Sequence, residues 1–360
     1  MSGQAPAPAA GPRQPGALAG TLLVLALLYT AWAASSLLIP IVLAMFLGLI
    51  ANPIVRGLQK LWIPRWLGAL GVVVGGVAAA VLLASVLVRP AAEWVRQAPS
   101  EIRQHAPKLR ALTKPFEEAN RAASESLSQL AGQAPQAPSP VQIVEPAPSG
   151  LWSVLSGTPI TLASVGAIVL LAYFFLLYGE NLQRRAITLL PDRAKQRVTV
   201  EILRTIESEV SRYVLTITVI NIGLGAATAA ALWGLGLKPG DALLWGTVVG
   251  LLNYAPYFGP LVGTIALTLV GMVAFKELGQ ALLVPAAYLA INLVESQLVT
   301  PIVLGRRMAI SPLILLLWLM LWGWLWGVAG LLLAVPMLVT FKIVSARIDG
   351  WQGWAQVMED

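Results

Sequence analysis

The sequence predicts an all-α, polytopic helical membrane protein. Of its 360 residues, 57% are hydrophobic and only 11% are charged, whereas soluble domains have about 45–50% apolar and about 25% charged residues. The charges are also unevenly placed, because long apolar runs hold almost none of them. A water-covered surface needs more charge than this. We therefore interpret the apolar runs as lipid-facing helices joined by hydrated connectors.

A membrane core needs about 20 apolar helical residues per crossing, and this length sets the predicted organisation. The predicted segments, in chain order, are a disordered N-terminus at 1–16, the first three spans at 17–88, an extramembrane amphipathic helix and Pro/Ala-rich linker at 89–155, a fourth span at 156–180, a basic cytoplasmic connector at 181–212, a C-terminal helical bundle at 213–345 and a cytoplasmic tail at 346–360.

Two features predict hairpins among about eight transmembrane helices. Pro40 separates the first two apolar runs, so we expect them to form a tight hairpin. The last run, Pro312–Phe341, is interrupted near its middle. Each half is only about 22 Å long, which is short of a core of about 30 Å. A re-entrant hairpin fits this length as well as two crossings do.

The basic residues predict the orientation in the membrane. They cluster in alternate short connectors: Arg56, Lys60 and Arg65; Arg184 to Arg212; Arg306 and Arg307; Lys342 and Arg347. Short basic loops stay in the cytoplasm, so both termini are expected there. The net charge of +7 is thus explained by these connectors, which can also contact anionic lipid headgroups. We predict the lipid bilayer as a partner and exclude nucleic acid.

Catalysis is not expected. The chain has no cysteine and a single histidine, His105, in a predicted hydrophilic connector. A metalloprotease needs several His and carboxylate ligands, and no Gly-rich phosphate loop is present. We therefore predict no catalytic residues, no cofactor and no metal.

A helix-breaking stretch inside an apolar run is the strongest functional feature. Its candidate residues are Asn253, Tyr254, Pro256, Tyr257, Gly259 and Pro260. Prolines free backbone donors and acceptors, which at membrane depth must be satisfied by protein or a wet cavity. Broken helices of this kind line substrate paths in secondary transporters. An ordinary interfacial turn anchored by the tyrosines remains the alternative.

A second candidate is a carboxylate within a span. Asn292, Glu295 and Ser296 stand at i, i+3 and i+4, which predicts one shared helix face. Because an intramembrane carboxylate is costly, this face should meet the bundle interior or a cavity. Glu295 can then bind a proton, a cation or a polar solute. The alternative is a structural salt bridge to Arg306 or Arg307.

Other polar or bulky residues within the apolar runs are weaker indicators of function. Asn221 is included in the predicted path, although a lone asparagine in a span is more often a link between helices. The tryptophans at 318, 322, 324 and 326 cluster in the last apolar run, and the pattern suggests no function for them.

Three motifs resemble those of the autoinducer-2 exporter family of bacterial membrane proteins. They are LNYAPYFGP from Leu252, NLVESQLVTPIVLG from Asn292 and GVAGLLLAVP from Gly327. The order of spans and connectors is also similar over nearly the whole chain. The Pro/Ala-rich stretch Pro135–Ser149 departs from the family pattern and resembles a lineage-specific insertion.

The resemblance implies an inner-membrane permease of about eight spans that exports a small polar solute, with autoinducer-2 as the family's namesake. It also implies a homo-oligomer, with a pentamer as the expected form. Some relatives resemble sodium/proton antiporters, so a cation/proton antiporter using Glu295 stays open. A membrane scaffold that does not transport is the remaining alternative.

Overall fold

The computed structural model describes residues 15–94, 96, 159–304, 310–348 and 350–358, and within them all regular secondary structure is helical. The helices are α1 Pro15–Ala33, α2 Ser35–Gln59, α3 Arg65–Trp94, α4 Pro159–Thr188, α5 Arg193–Gly234, α6 Pro239–Leu252, α7 Phe258–Ala274, α8 Leu278–Val294, a π-helical turn Glu295–Val299, α9 Thr300–Leu304, α10 Pro312–Ser345 and α11 Gln352–Val357. Predictions for 1–14, for most of 89–155, and for Arg306 and Arg307 lie outside the described residues.

The described helices confirm a polytopic helical membrane protein. Six of them are long and apolar enough to cross a membrane: α2, α3, α4, α5, the α8–α9 segment and α10. Three shorter apolar helices lie in α1, α6 and α7. Large apolar side chains cover much of the outer surface, for example Leu22 and Val81, which are 64% and 61% exposed. Such a surface suits lipid rather than water.

The long helix α5 is the axis of the described fold. Its first half packs Val210 and Tyr213 against Phe46 of α2 and against α10. Its second half packs Leu224 and Leu232 against α6, α7 and α8. One helix therefore connects two apolar cores, each made from different partners.

The expected tight hairpin between the first two apolar runs is not found. Pro40 lies inside α2, and α1 and α2 are separated only by Ala34, with φ −95° and ψ 16°. The Ala34 amide donates to the Thr30 carbonyl, and the Leu38 amide donates to the Ala34 carbonyl. Because helical hydrogen bonding continues through Ala34, the chain bends there instead of reversing.

The predicted basic connector 181–212 is mostly helical. α4 continues to Thr188, and α5 begins at Arg193, where the Asp192 side chain caps it by accepting from the Ala194 amide at 2.8 Å. With 42 residues, α5 is about 63 Å long, roughly twice the thickness of a membrane core. The basic segment thus consists of the projecting ends of two helices joined by a short turn.

α10 is a helical hairpin that turns at Gly327, whose φ of 59° and ψ of −136° are not helical. Trp318 Nε1 donates to the Ala334 carbonyl at 2.9 Å. A Cβ on Gly330 would overlap the Trp322 carbonyl oxygen, so only glycine allows this approach of the two arms. These contacts place the two arms side by side, as the predicted interruption of this run suggested.

The tryptophan cluster acquires a structural explanation in this hairpin. The rings of Trp318, Trp322 and Trp326 contact one another in sequence, with centroids 5.9 and 4.6 Å apart. Trp326 Nε1 also donates to the Ala31 carbonyl at 3.0 Å, which attaches the tip of the hairpin to α1. Trp324 is 76% exposed and does not belong to this row.

Candidate functional site

The predicted helix break is present between α6 and α7. α6 ends at Leu252 and α7 begins at Phe258. Tyr257, immediately before α7, has φ 64°, a conformation that is uncommon for a residue other than glycine. A Cβ on Gly259 would overlap the Leu252 carbonyl oxygen, so glycine is required where the two helices meet. The chain therefore reverses tightly here.

The two prolines fit this turn for different reasons. Pro256 lies between the helices, and its carbonyl accepts from the Phe258 amide at 2.7 Å. Pro260 is the third residue of α7, where a backbone amide has no partner within its own helix. Each proline therefore sits where its missing N–H costs little.

Helix lengths indicate that α6 and α7 form a re-entrant hairpin. They have 14 and 17 residues, or about 21 and 26 Å, which is less than a core of about 30 Å. The turn contacts Asn221, which lies 13 residues, or about 20 Å, before Gly234 at the end of α5. The turn thus lies at membrane depth, because α6 runs back along α5.

Close helix packing holds the re-entrant turn against α5. A Cβ on Gly250 would lie 2.8 Å from the Asn221 carbonyl oxygen, and one on Gly246 would lie 2.5 Å from the Gly225 carbonyl oxygen. The backbones of α5 and α6 therefore touch along one side. Small residues permit this approach in the same way as in other membrane helix pairs.

A row of three asparagine side chains joins α5, the turn and α8. Asn253 Nδ2 donates to Asn221 Oδ1 at 2.9 Å, and Asn292 Nδ2 donates to Asn253 Oδ1 at 3.5 Å. Asn221 and Asn253 are buried, with 3% and 8% exposure. We call Asn221, Asn253 and Asn292 the amide row. The structure thus brings together residues that are 32 and 39 positions apart.

The amide row retains an unused donor. Asn221 Nδ2 is buried and has no hydrogen-bond partner among the described residues. A buried donor without a partner costs about 1–3 kcal/mol. The same is true of Tyr288 Oη, which lies one helical turn before Asn292 and packs against Gly263. These open polar atoms are suited to a bound solute or to water.

Tyr254 extends the polar group toward the other hairpin. Its hydroxyl donates to Thr218 Oγ1 at 2.7 Å, and the tyrosine also lines a cavity of about 110 Å³ together with Tyr213, Leu333 and Pro336. The re-entrant turn therefore approaches the second arm of α10. Tyr257 is 49% exposed and therefore does not belong to this buried polar group.

Glu295 is buried at the first residue of the π-helical turn. It is 9% exposed, and its Oε1 accepts from the Thr300 hydroxyl. Among the described residues it is the only charged one that lines a cavity of about 550 Å³, whose other described walls are apolar residues of α5, α8 and α9. Within the described part of the chain no cation pairs with it.

The expected shared face of Asn292, Glu295 and Ser296 is not found for Ser296. Ser296 is exposed, and its hydroxyl donates to the Leu293 carbonyl at 3.2 Å. Glu295 and Ser296 are consecutive residues, which point about 100° apart around a helix, and here Glu295 takes the buried side and Ser296 the exposed side. Asn292 and Glu295 remain on the side toward α5.

Sequence reasoning missed three polar residues of this region. Thr218, Thr228 and Tyr288 lie in the same set of helices, and Thr228 and Tyr288 have buried oxygens without partners. Their spacing from the predicted asparagines could have identified two of them from the sequence. Thr228 follows Asn221 by two helical turns, and Asn292 follows Tyr288 by one, so each pair shares a helix face.

A second polar cluster lies at the basic ends of the helices. Arg56 contacts Glu180 at 2.7 Å and Glu207 at 3.2 Å, and Arg65 contacts the other oxygen of Glu180 at 2.6 Å. Asn52 donates to Glu207 and accepts from Arg65. The cluster joins α2, α3, α4 and α5. Sequence analysis used these arginines only as orientation signals.

A helical bundle with six membrane-length helices and a broken helix around buried amides is the architecture of a polytopic membrane transporter. The chain belongs to the AI-2E family of transporters, whose family model matches residues 22–350. This confirms the resemblance drawn from the three motifs.

The relatives agree with this assignment. The AI-2 transport protein TqsA of Escherichia coli (strain K12) is 29% identical over 329 residues, which cover 91% of this chain and 90% of TqsA. YhhT from the same strain, named as a candidate transport protein, is 25% identical over 313 residues, covering 86% and 84%. YrrI of Bacillus subtilis (strain 168), named in the same way, is 23% identical over 201 residues, covering 56% and 54%.

Proposed function

We propose that this transporter exports a small polar solute across the bacterial inner membrane through the region around the amide row. Autoinducer-2 is the first solute to test, because the relative TqsA is named for its transport. The observation that carries the proposal is the buried amide row at a re-entrant turn, with an unused donor on Asn221. Amide groups can donate to and accept from the hydroxyls of a polar, uncharged solute.

The two hairpins support a path at this place. The α6–α7 turn and the α10 hairpin approach each other at Tyr254 and Pro336. Ends of broken helices supply backbone groups to a solute at membrane depth without side-chain charge. Movement of one hairpin relative to the other would open the amide row alternately to each side.

The proposal is tested by solute flux in liposomes that contain the purified protein. Asn253→Ala removes the central amide, and we expect flux to fall about tenfold, because one hydrogen bond contributes about 0.5–1.5 kcal/mol. Thr268→Ala is the matched control, since its hydroxyl bonds only the Thr264 carbonyl of its own helix. Equal flux in both variants, or no flux of any tested polar solute in the unmodified protein, would contradict the proposal.

Coupling to a proton or another cation is a second candidate function, and Glu295 is the observation that favours it. A carboxylate within a span costs at least about 2–3 kcal/mol unless it is paired or hydrated. The Thr300 hydroxyl is an uncharged partner. A proton or a cation from solution would remove the cost, and its binding and release would couple a gradient to transport.

A scaffold function without transport is the third reading, and it predicts that the amides act only as links between helices. In that case Asn253→Ala would lower the unfolding temperature, and the unmodified protein would carry no solute flux. The proposed homo-oligomer, with a pentamer as the expected form, is tested by the mass of the protein in a lipid nanodisc.

We also propose that both termini are cytoplasmic. At the C-terminal side, support comes from the ion pair of Arg347 with Glu201 at 2.7 Å, which ties the end of α10 to the basic start of α5. For the N-terminus, support comes from the distribution of basic connectors alone, since the expected hairpin between α1 and α2 is absent.

A further inference from the structure

A cavity of about 620 Å³ opens between α2, α4 and α5 at the basic end of the helices. Each of the three helices contributes one arginine to its wall, namely Arg56, Arg184 and Arg204. Glu180 and Glu207 line the same cavity. Charged groups from three separate helices therefore converge on one concave space.

The charges of this cavity do not balance locally. Both carboxylates are already bound, because Glu180 accepts from Arg56 and Arg65, and Glu207 accepts from Arg56 and Asn52. Arg184 and Arg204 have no ion pair among the described residues. Two guanidinium groups thus face the cavity without a carboxylate to neutralise them.

The position of these two arginines relative to the membrane follows from helix lengths. Arg184 lies four residues, or about 6 Å, beyond Glu180, where the predicted fourth span ends. Arg204 lies nine residues, or about 14 Å, before Tyr213, where the predicted C-terminal helical bundle begins. The headgroup layer extends about 5–8 Å beyond the apolar core on each side. The cavity therefore lies at the border between headgroups and cytoplasm.

We propose that this cavity binds a phosphate group, carried by an anionic lipid headgroup or by a soluble phosphate. Guanidinium groups bind phosphate oxygens through two parallel hydrogen bonds, which a surface lysine cannot do. Ser208 and Gln183 line the same wall and supply further donors. A neighbouring cavity of about 650 Å³ shares Arg204 and Ser208, which leaves room for the rest of a larger ligand.

The alternative is that the arginines form only a solvated basic surface that orients the chain. In that case any two arginines of this region would contribute equally to anion binding, since screened surface charges act without geometry. A pair of double variants separates the two ideas. Arg184→Gln with Arg204→Gln removes the two cavity arginines that have no ion pair within the described chain, whereas Arg185→Gln with Arg212→Gln removes the same charge outside both cavities.

The experiment measures binding to the purified protein in nanodiscs at one fixed salt concentration. The first arm titrates inorganic phosphate into protein in phosphatidylcholine nanodiscs. The second arm uses nanodiscs with and without phosphatidylglycerol and measures, by native mass spectrometry, how much phosphatidylglycerol stays bound to the protein. Binding in the first arm identifies a soluble phosphate, and binding in the second identifies a headgroup.

We expect the Arg184→Gln, Arg204→Gln variant to bind the phosphate ligand, whether inorganic phosphate or phosphatidylglycerol, about tenfold or more weakly than the unmodified protein. The reason is the loss of charge-assisted hydrogen bonds. The control variant should stay within about twofold, as expected for screened surface charges. Equal losses in both variants, or no binding in either arm, would overturn the proposal. The result does not depend on transport, because binding is measured without flux.

Discussion

At the scale of the residue, the site is defined by which polar atoms find partners. Asn253 satisfies its side chain through Asn221 and Asn292, whereas the Asn221 amide nitrogen is left open. Glu295 has a hydroxyl partner but no described cation. In a membrane, such incompletely satisfied groups are expensive, so their presence favours a functional use over simple helix linkage.

The role of Glu295 is tested by Glu295→Gln, which keeps the shape of the side chain and removes its titration. If Glu295 carries the coupling proton or cation, we expect solute flux driven by an imposed ion gradient to be lost. Downhill flux without a gradient should persist, because the amide row is unchanged. Liposomes with a pH or sodium gradient provide the measurement, and gradient-driven flux that is unaltered in this variant would exclude Glu295 as the coupling group.

At the scale of the element, two hairpins depend on glycines with no room for a side chain. Gly259 lies against the Leu252 carbonyl, and Gly330 lies against the Trp322 carbonyl. The break after Leu252 was predictable, because Pro256 and Pro260 cannot continue a regular helix. The π-helical turn at Glu295–Val299 was not predicted, although Pro301, which follows it by two residues and cannot donate a backbone hydrogen bond, was an available signal of an irregular helix.

The re-entrant turn is tested by Gly259→Ala. The added methyl group would overlap the Leu252 carbonyl, so the two helices must separate, and we expect both a lower unfolding temperature and loss of flux. Gly71→Ala in α3 is the matched control, because nothing lies within 4 Å of a Cβ there. Alanine also favours a helix by about 1 kcal/mol over glycine. If Gly259→Ala matches this control in stability and flux, the close approach of the two helices is not required.

At the scale of the whole molecule, α5 unites the two cores, and the cluster around Arg56 and Arg65 joins the basic ends of four helices. In α3, none of the 18 consecutive residues that form its most apolar stretch is buried by the rest of the described chain. The polar contacts of Arg65 are therefore important for the attachment of α3, although Ala69 also packs against α2 and α4.

Arg65→Gln tests this attachment. Arg65 binds Glu180, the Asn52 side chain and the Leu176 carbonyl, and its loss leaves all three acceptors without that donor. We expect the unfolding temperature in detergent to fall by several degrees. Arg185→Gln is the control, because Arg185 is exposed and has no ion pair among the described residues. A similar unfolding temperature for both variants would show that apolar packing alone holds α3.

The orientation of the whole chain is tested by cysteine labelling, for which the natural chain offers a background without cysteine. Ser2→Cys and Gln356→Cys each add one thiol near a terminus. With both termini in the cytoplasm, a membrane-impermeant maleimide should label neither in intact cells and both after lysis. Labelling of Ser2→Cys in intact cells would place the N-terminus outside the cell. The structure allows this arrangement, because the chain bends at Ala34 without reversing its direction.

The sequence by itself determined the class of fold, the break after Leu252, the interruption of the last apolar run and the family, because these depend on composition, on apolar run lengths and on local motifs such as LNYAPYFGP. Only the tertiary structure decided which polar residues meet. Asn221, Asn253 and Asn292 are far apart in the chain, and their contacts exist because Gly246 and Gly250 let α6 lie directly on α5. The same holds for Ser296, which packing leaves exposed while the adjacent Glu295 is buried. Helix periodicity is a local property, whereas the register between helices is set by packing.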